Sequence, residues 1–241
     1  MTVPHRNPPS ITDDLADEMS RYDKIIELTI QKVASLGVAS FSVKDVCDEL
    51  GVSHSLINHH YGGKHGLVAA ALPIVYARHV AGSWRLVDES KRSPEEAIET
   101  WIRVTTQWNV ANPGWAVMLN YPTASLETTN ASTPEQADIL SRWGQYNLVR
   151  LLGLVVDLRH NRATVTPYDK DRGTIDDIGA TQVEIDVAAT IAFSALGVYV
   201  WSVGRHLPSK DLPQVHELGK HAVDFHIKYI IRHAKNFDGT L

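Results

Sequence analysis

Hydrophobic positions recur along this chain with a helical period almost throughout. From Tyr22 to Leu36 the apolar residues Tyr22, Ile25, Ile26, Leu28, Ile30, Val33, Ala34 and Leu36 include the i, i+3 and i+4 spacings of a well-buried helix, and Gly37 marks its end. Ser42 then precedes Val43, Val46 and Leu50, which predicts a short helix with Ser42 as N-cap, Asp45 in its first turn and Gly51 as its left-handed stop. Ser53 caps a further short helix carrying Leu56, Ile57, His60 and Tyr61, which Gly62 and Gly63 break. Ser93-Pro94-Glu95-Glu96 and Thr133-Pro134-Glu135-Gln136 are two copies of one start signal, a hydroxyl cap, a proline at the first position and Glu or Gln at the third. Each opens a long helix. The segments Asn161–Thr181 and Leu207–Pro213 are polar or proline-bearing and read as connections. Strand pairs with hairpin signals and repeats of 20 to 50 residues are both missing, so the pattern predicts an all-α architecture of about nine helices.

One stretch complicates the alternation, because Val187–Gly204 carries no charge over roughly the length of a bilayer span. Its Ala, Ser, Thr and Gly content keeps its hydrophobicity modest, and it stands alone in an otherwise polar-faced chain. A helix buried among others or at an oligomer interface is the better reading. With 241 residues, 44% of them hydrophobic, the chain can bury a sizeable core, and its single cysteine, Cys47, has no partner for an intrachain disulfide. Residues 1–20 lack the basic start and apolar run of a secretory signal, so the cytoplasm is the expected compartment.

The short helix behind Ser42, the turn Gly51-Val52-Ser53 and the helix starting near His54 together make a helix-turn-helix. In that motif the second helix enters the major groove of DNA, and its first residues meet base edges. Here Ser53, His54, Ser55, Asn58 and His59 can all hydrogen-bond, while Leu56, Ile57 and Tyr61 form an inward face. Lys64, just past the glycine pair, can meet a phosphate together with backbone N–H groups. At these residues the chain resembles the TetR family of transcriptional regulators. The resemblance runs from Arg21 to about Leu72, and Gly37, Ser42, Val46, Gly51, Val52, Ser53, Ile57, His60, Tyr61, Lys64 and Leu67 stand at positions the family pattern uses. The ending Ile57-Asn58-His59-His60-Tyr61, followed by Lys64, Gly66 and Leu67, looks most like the subgroup that contains choline-responsive repressors. Asn58 stands where the family frequently has Tyr, and its amide can bind phosphate or adenine.

What the resemblance implies is a homodimeric regulator, a repressor released from a palindromic double-stranded DNA operator by a small-molecule effector. The chain then divides into an N-terminal arm (1–19), a DNA-binding domain (20–66) and an effector-binding and dimerisation domain (67–241). The DNA contact set is Ser42, Lys44, Ser53, His54, Ser55, Asn58, His59, His60 and Lys64. Residues 20–66 balance Arg21, Lys24, Lys32, Lys44 and Lys64 against Asp23, Glu27, Asp45, Asp48 and Glu49, so with neutral histidines the head has no net basic footprint. Modest salt dependence of DNA binding is therefore expected.

Other chemistries fit these residues less well. His54, His59, His60 and His65 lack the spacings of a structural zinc site, "GVSHS" lacks the strand-turn-helix setting of a nucleophile elbow, and Cys47 sits on an apolar helix position. Neither a cofactor, a metal nor an enzymatic activity is expected, and no membrane partner. In the larger C-terminal part, Trp101 and Trp108 lie seven apart on one helix face, Trp115 and Met118 follow, and Trp143, Tyr146, Asn147 and Arg150 form one stripe. Core packing explains any one of these aromatics. As a set with Phe193 they are candidates for one effector cavity between helices, with Arg150 either binding an anion or lying at a solvated edge, or for a cage that holds a cation. The family resemblance also implies a four-helix dimer interface built from about Gln182–His206 and Leu212–Lys235, with Ala188, Ala192, Ala195, Tyr199, Val223, Ile227 and Ile230 as candidates. The competing class is an all-α small-molecule-binding or catalytic protein without a DNA function.

Overall fold

A computed structural model of the chain describes residues 20–89, 93–120, 126–168, 174–204, 224–225 and 227–238, with the side chains of 196–204 outside that description. The candidate arm at 1–19, the Tyr199 side chain and Val223 lie outside the described residues. The described residues are helical and carry no strand. The helices are α1 (Arg21–Ser40), α2 (Val43–Leu50), α3 (His54–Tyr61), α4 (Lys64–Glu89), α5 (Pro94–Ala111), α6 (Pro113–Asn120), α7 (Leu126–Ala131), α8 (Pro134–Arg159), α9 (Ile175–Ile178), α10 (Gln182–Gly204) and α11 (227–236). That makes eleven among the described residues, where the pattern predicts about nine. The additions include α7 and α9, with 6 and 4 residues, too short to show an apolar period.

The caps fall where the sequence sets them. Ser42 Oγ accepts from Lys44 N–H, Ser53 Oγ accepts from Leu56 N–H, and Gly51 closes α2 in the left-handed conformation at φ 62°. Ser93 with Glu96 and Thr133 with Gln136 form complete capping boxes. Gly37 breaks the first helix as the sequence predicts, with non-helical backbone at φ 72°, and a further short turn runs on to Ser40, where Phe41 N–H donates back to the Gly37 carbonyl.

Two apolar cores divide the molecule, and α4 runs through both. Ile25 and Val33 of α1, Val46 of α2, Ile57 of α3 and Leu67 and Ala71 of α4 build the first. Val80 and Trp84 of the same α4, with Ile98, Trp101, Leu151, Leu152, Ala188, Ile191 and Ile227, build the second. With 26 residues α4 is about 39 Å long and, with Pro73 inside it, runs from one core to the other as a continuous bar. The helix α10 packs on α5 and α8, burying Val187, Ala188, Ile191 and Ala195. No helix among the described residues is long and apolar enough to cross a membrane.

This packing corrects the register of the expected dimer face. Ala188, Ala195, Ile227 and Ile230 are buried within the protomer, and Ala192 packs partly buried against the same core. The small alanines let α10 approach α5 and α8 closely. The opposite sides of α10 and α11 carry Phe193, Phe225 and Tyr229, which are 71%, 73% and 60% exposed.

Candidate nucleic-acid interface and effector groove

The helix-turn-helix places α3 with one face outward. Ile57 is fully buried under it, Leu56 and Tyr61 are half-buried, and His54, Ser55, Asn58 and His59 are exposed. His54 with Asn58 and Ser55 with His59 lie one turn apart, so the four donors and acceptors form two adjacent rows on one surface. Glycine caps and Ser53 satisfy the helix ends from within the chain, which leaves those side chains available to an external partner.

The remaining residues of the expected contact set do other things as well. His60 Nε2 shares a hydrogen bond of 2.9 Å with Tyr22 Oη, and the two rings meet edge to face, so His60 fastens α3 to α1. Lys64 Nζ donates to the Ala39 carbonyl at 3.1 Å and ties the start of α4 to the end of α1. Ser42 and Ser53 act as caps, and Lys44 pairs with Asp48 one turn on. Lys32 pairs with Glu49. His65 shares a 3.1 Å hydrogen bond with Thr128 of α7. His59 and His60 meet edge to face while His65 turns to α7, and the described residues hold no group of three His, Cys, Asp or Glu able to grip a metal.

The head is bolted to the body at three places. Trp115 is fully buried and its Nε1 donates to the Ile30 carbonyl at 2.9 Å; Arg78 of α4 pairs through two nitrogens with Glu27 of α1; and Gly114 touches the backbone of α1 at Val33. This corrects the expectation of one aromatic cavity. Trp115 and Met118 are packed in the core they share with the head, because α6 lies against α1. Trp108 lies at the edge of that same core and stacks on His79 of α4 with ring centroids 4.0 Å apart. Burial pushes the His79 pKa down to about 4, so that ring is neutral at physiological pH. Phe193 is the outward-facing residue noted above.

Trp143, Tyr146, Asn147 and Arg150 do come together, and α4 supplies what the sequence reading missed. Asn147 Oδ1 accepts from Trp84 Nε1 at 2.8 Å and from Trp101 Nε1 at 3.3 Å, which brackets two buried indoles into the core. Trp101 is thereby a packing residue. Beside this bracket runs a groove between α4, α8 and the segment 162–168. One part of it has a volume of about 190 Å³ and is walled by Trp84, Val87, Val149, Leu154, Val165 and Ile178, with Arg150 among them. Adjoining space is bounded by Asp88, Trp143, Tyr146 and Tyr168.

Arg150 does not lie at a solvated edge, and the anion it holds in this structure is an internal one, the Asp88 carboxylate. Its guanidinium lies 4.3 Å from the centre of the Trp84 ring, 5.0 Å from that of Tyr168 and 5.6 Å from that of Tyr146. It donates to Tyr146 Oη at 2.9 Å, and both terminal nitrogens bond to the Asp88 carboxylate. Burial disfavours its charge, but the bonds to Asp88 and Tyr146 outweigh that and hold its pKa above the ordinary value. The aromatic cage is real, and an internal cation already fills it. Trp84 and Asp88, one turn apart on α4, carried a legible signal as a Trp-to-Asp pair on one helix face. Tyr168 sits in a connection with no period to read.

Residues 25–71 match the family described as bacterial regulatory proteins, tetR family. No curated protein sequence matches the chain. Solved structures do. A transcriptional regulator of the TetR/AcrR family from Thermobifida fusca superposes with a TM-score of 0.56 at 14% identity, covering 91% of this chain and 99% of the other. The ketosteroid transcriptional regulator KstR2 of Mycobacterium tuberculosis gives 0.55 at 14% identity over 88% and 96% of the two chains. The fatty acid degradation regulator FadR from Bacillus halodurans gives 0.54 at 13% identity over 93% and 100%. Residues 25–71 thus match the N-terminal domain described for the tetR family of bacterial regulatory proteins, and the chain as a whole shares the fold of these solved regulators.

Proposed function

We propose that the protein is a homodimeric transcriptional regulator that reads duplex DNA with α3 and lets go when a small molecule enters the groove between α4 and α8. The observation that carries the reading is the exposed polar face of His54, Ser55, Asn58 and His59 on a helix capped at both ends and backed by Ile57. Such a helix offers base edges hydrogen-bonding groups without leaving its own backbone unsatisfied.

Dimerisation is supported by the bare aromatic side of the last two helices. Phe225, Tyr229 and His233 follow at four-residue intervals into α11 in ring-to-ring contact, with Phe225 and Tyr229 largely exposed, and Phe193 of α10 is exposed in the same way. A two-fold axis there would cover both copies at once and set two α3 helices for successive major grooves. Release follows if the effector prefers a spacing of the heads that DNA does not fit, since a ligand indifferent to spacing shifts nothing. Because α4 is a wall of the groove and a member of the head core, it is the element through which that preference acts. A filled cage argues against a choline-like cation as the effector.

The test is retention of duplexes from a fragmented genomic pool at low salt by the purified full-length protein. Enrichment of a palindromic sequence supports the proposal. Retention of none, with small molecules still bound, would establish the alternative of a helical binding protein without a DNA role.

A further inference from the structure

We propose that the groove takes a small amphipathic carboxylate, whose anionic end replaces Asp88 on the Arg150 guanidinium. This names the effector class and so rests on the effector reading above. The Arg150 side chain is 8% exposed, whereas its partner Asp88 is 57% exposed. A guanidinium withdrawn from water needs an anion opposite it, while a carboxylate at the rim returns to water at little cost. Asp88 is therefore the exchangeable half of the pair.

The fork is held ready for an exchange. Tyr146 Oη and the faces of Trp84, Tyr168 and Tyr146 fix the guanidinium independently of Asp88, and both of its terminal nitrogens face outward in the arrangement a carboxylate accepts bidentately. Val87, Val149, Leu154, Val165 and Ile178 give the apolar body of such a ligand its cover. The other buried acid of the wall, Asp157, is engaged by Arg162 and Thr166 and does not compete. A cationic ligand would meet Arg150 in the place its charge requires.

The exchange also has a mechanical result. Asp88 lies in the last turn of α4, and its bond to Arg150 pins that end of the bar to α8. A ligand carboxylate that takes the guanidinium removes this one tie between the end of α4 and α8 while the Trp84-to-Asn147 bond remains, whereas a neutral ligand leaves the tie in place.

Octanoate, octanamide and octyltrimethylammonium, titrated into the full-length dimer, test this by tryptophan fluorescence and thermal midpoint. The proposal expects saturable binding of octanoate and binding of octanamide about tenfold weaker, since the amide lacks the charge that the bidentate pair requires. Asp88→Asn, a change at the rim that keeps the shape, should tighten octanoate several-fold by removing the competitor, and Arg150→Lys should weaken it about tenfold through loss of the planar fork. Octyltrimethylammonium binding in preference to octanoate overturns the proposal, as does unchanged octanoate affinity in both variants or silence of all three probes. Should some other compound then release DNA, only the carboxylate assignment has failed. If a broad metabolite collection contains no compound that releases DNA, the effector reading itself has failed.

Discussion

A Cβ added to Gly114 would lie 1.9 Å from the carbonyl oxygen of Val33, so α6 and α1 touch backbone to backbone at this point. The contact sits beside the Trp115-to-Ile30 hydrogen bond and makes the junction of head and body one of the most closely packed places in the molecule. Gly114→Ala must push the two helices apart. The expected loss of stability is about 1 to 3 kcal/mol, the usual range for overpacking, read as a lower denaturation midpoint. An unchanged midpoint would mean that head and body are not held in the arrangement described.

The exposed aromatics give a two-part test of the dimer face. Phe193→Glu or Tyr229→Glu should leave the protomer folded and split the dimer in sedimentation, because both side chains stand outside the core. Ala195→Glu should instead unfold the protein, since Ala195 is fully buried within the protomer. A dimer that survives Tyr229→Glu and Phe193→Glu together would place the interface elsewhere.

Much of the fold was legible because helix ends are written in single residues. Ser42, Gly51, Ser53, Ser93 and Thr133 each do in the structure what their chemistry implies locally. Depth was less legible than position. The period that put Trp115 on a helix does not say which neighbour covers it, and the neighbour proved to be α1 of the head. The same limit applied to Phe193 and Ala195: from Val187 onward α10 is uncharged and has no polar side to declare which face turns outward, so its register follows from α5 and α8. The stripe from Trp143 to Arg150 was found, yet its function could not be weighed without Asp88 and Trp84, which lie more than fifty residues away and meet it only in space.

His79 makes stability pH-dependent in a known direction. Its folded pKa is lowered to about 4 from 6.5 by burial, so above 6.5 neither state binds the proton and its effect on stability is nil. As pH falls from 6.5 towards 4 the unfolded chain takes up a proton that the folded ring refuses, and stability drops by up to about 3 kcal/mol. His79→Phe keeps a ring to stack on Trp108 and should flatten that part of the profile. Parallel profiles for the two proteins in urea unfolding between pH 4 and 7 would contradict the assignment.

Charge pairing in the head predicts the effect of removing an acid. Lys44 faces Asp48 and Lys32 faces Glu49, so two of the head's cations are internally neutralised. Asp48→Asn releases Lys44 for phosphate, and should strengthen DNA binding at low salt and steepen the dependence of log affinity on log salt by about one unit per new contact. An unaltered slope would place Lys44 away from the DNA backbone.

The most direct test is anisotropy of the enriched duplex against wild type, His54→Ala, Asn58→Ala and Lys64→Ala. Circular dichroism should show that all four are folded. The account predicts that His54→Ala and Asn58→Ala each lose about 1 to 3 kcal/mol on the palindrome and discriminate less against mismatched sites, while Lys64→Ala weakens every duplex alike. Operator affinity that is the same in all four folded proteins would contradict the claim that α3 reads DNA.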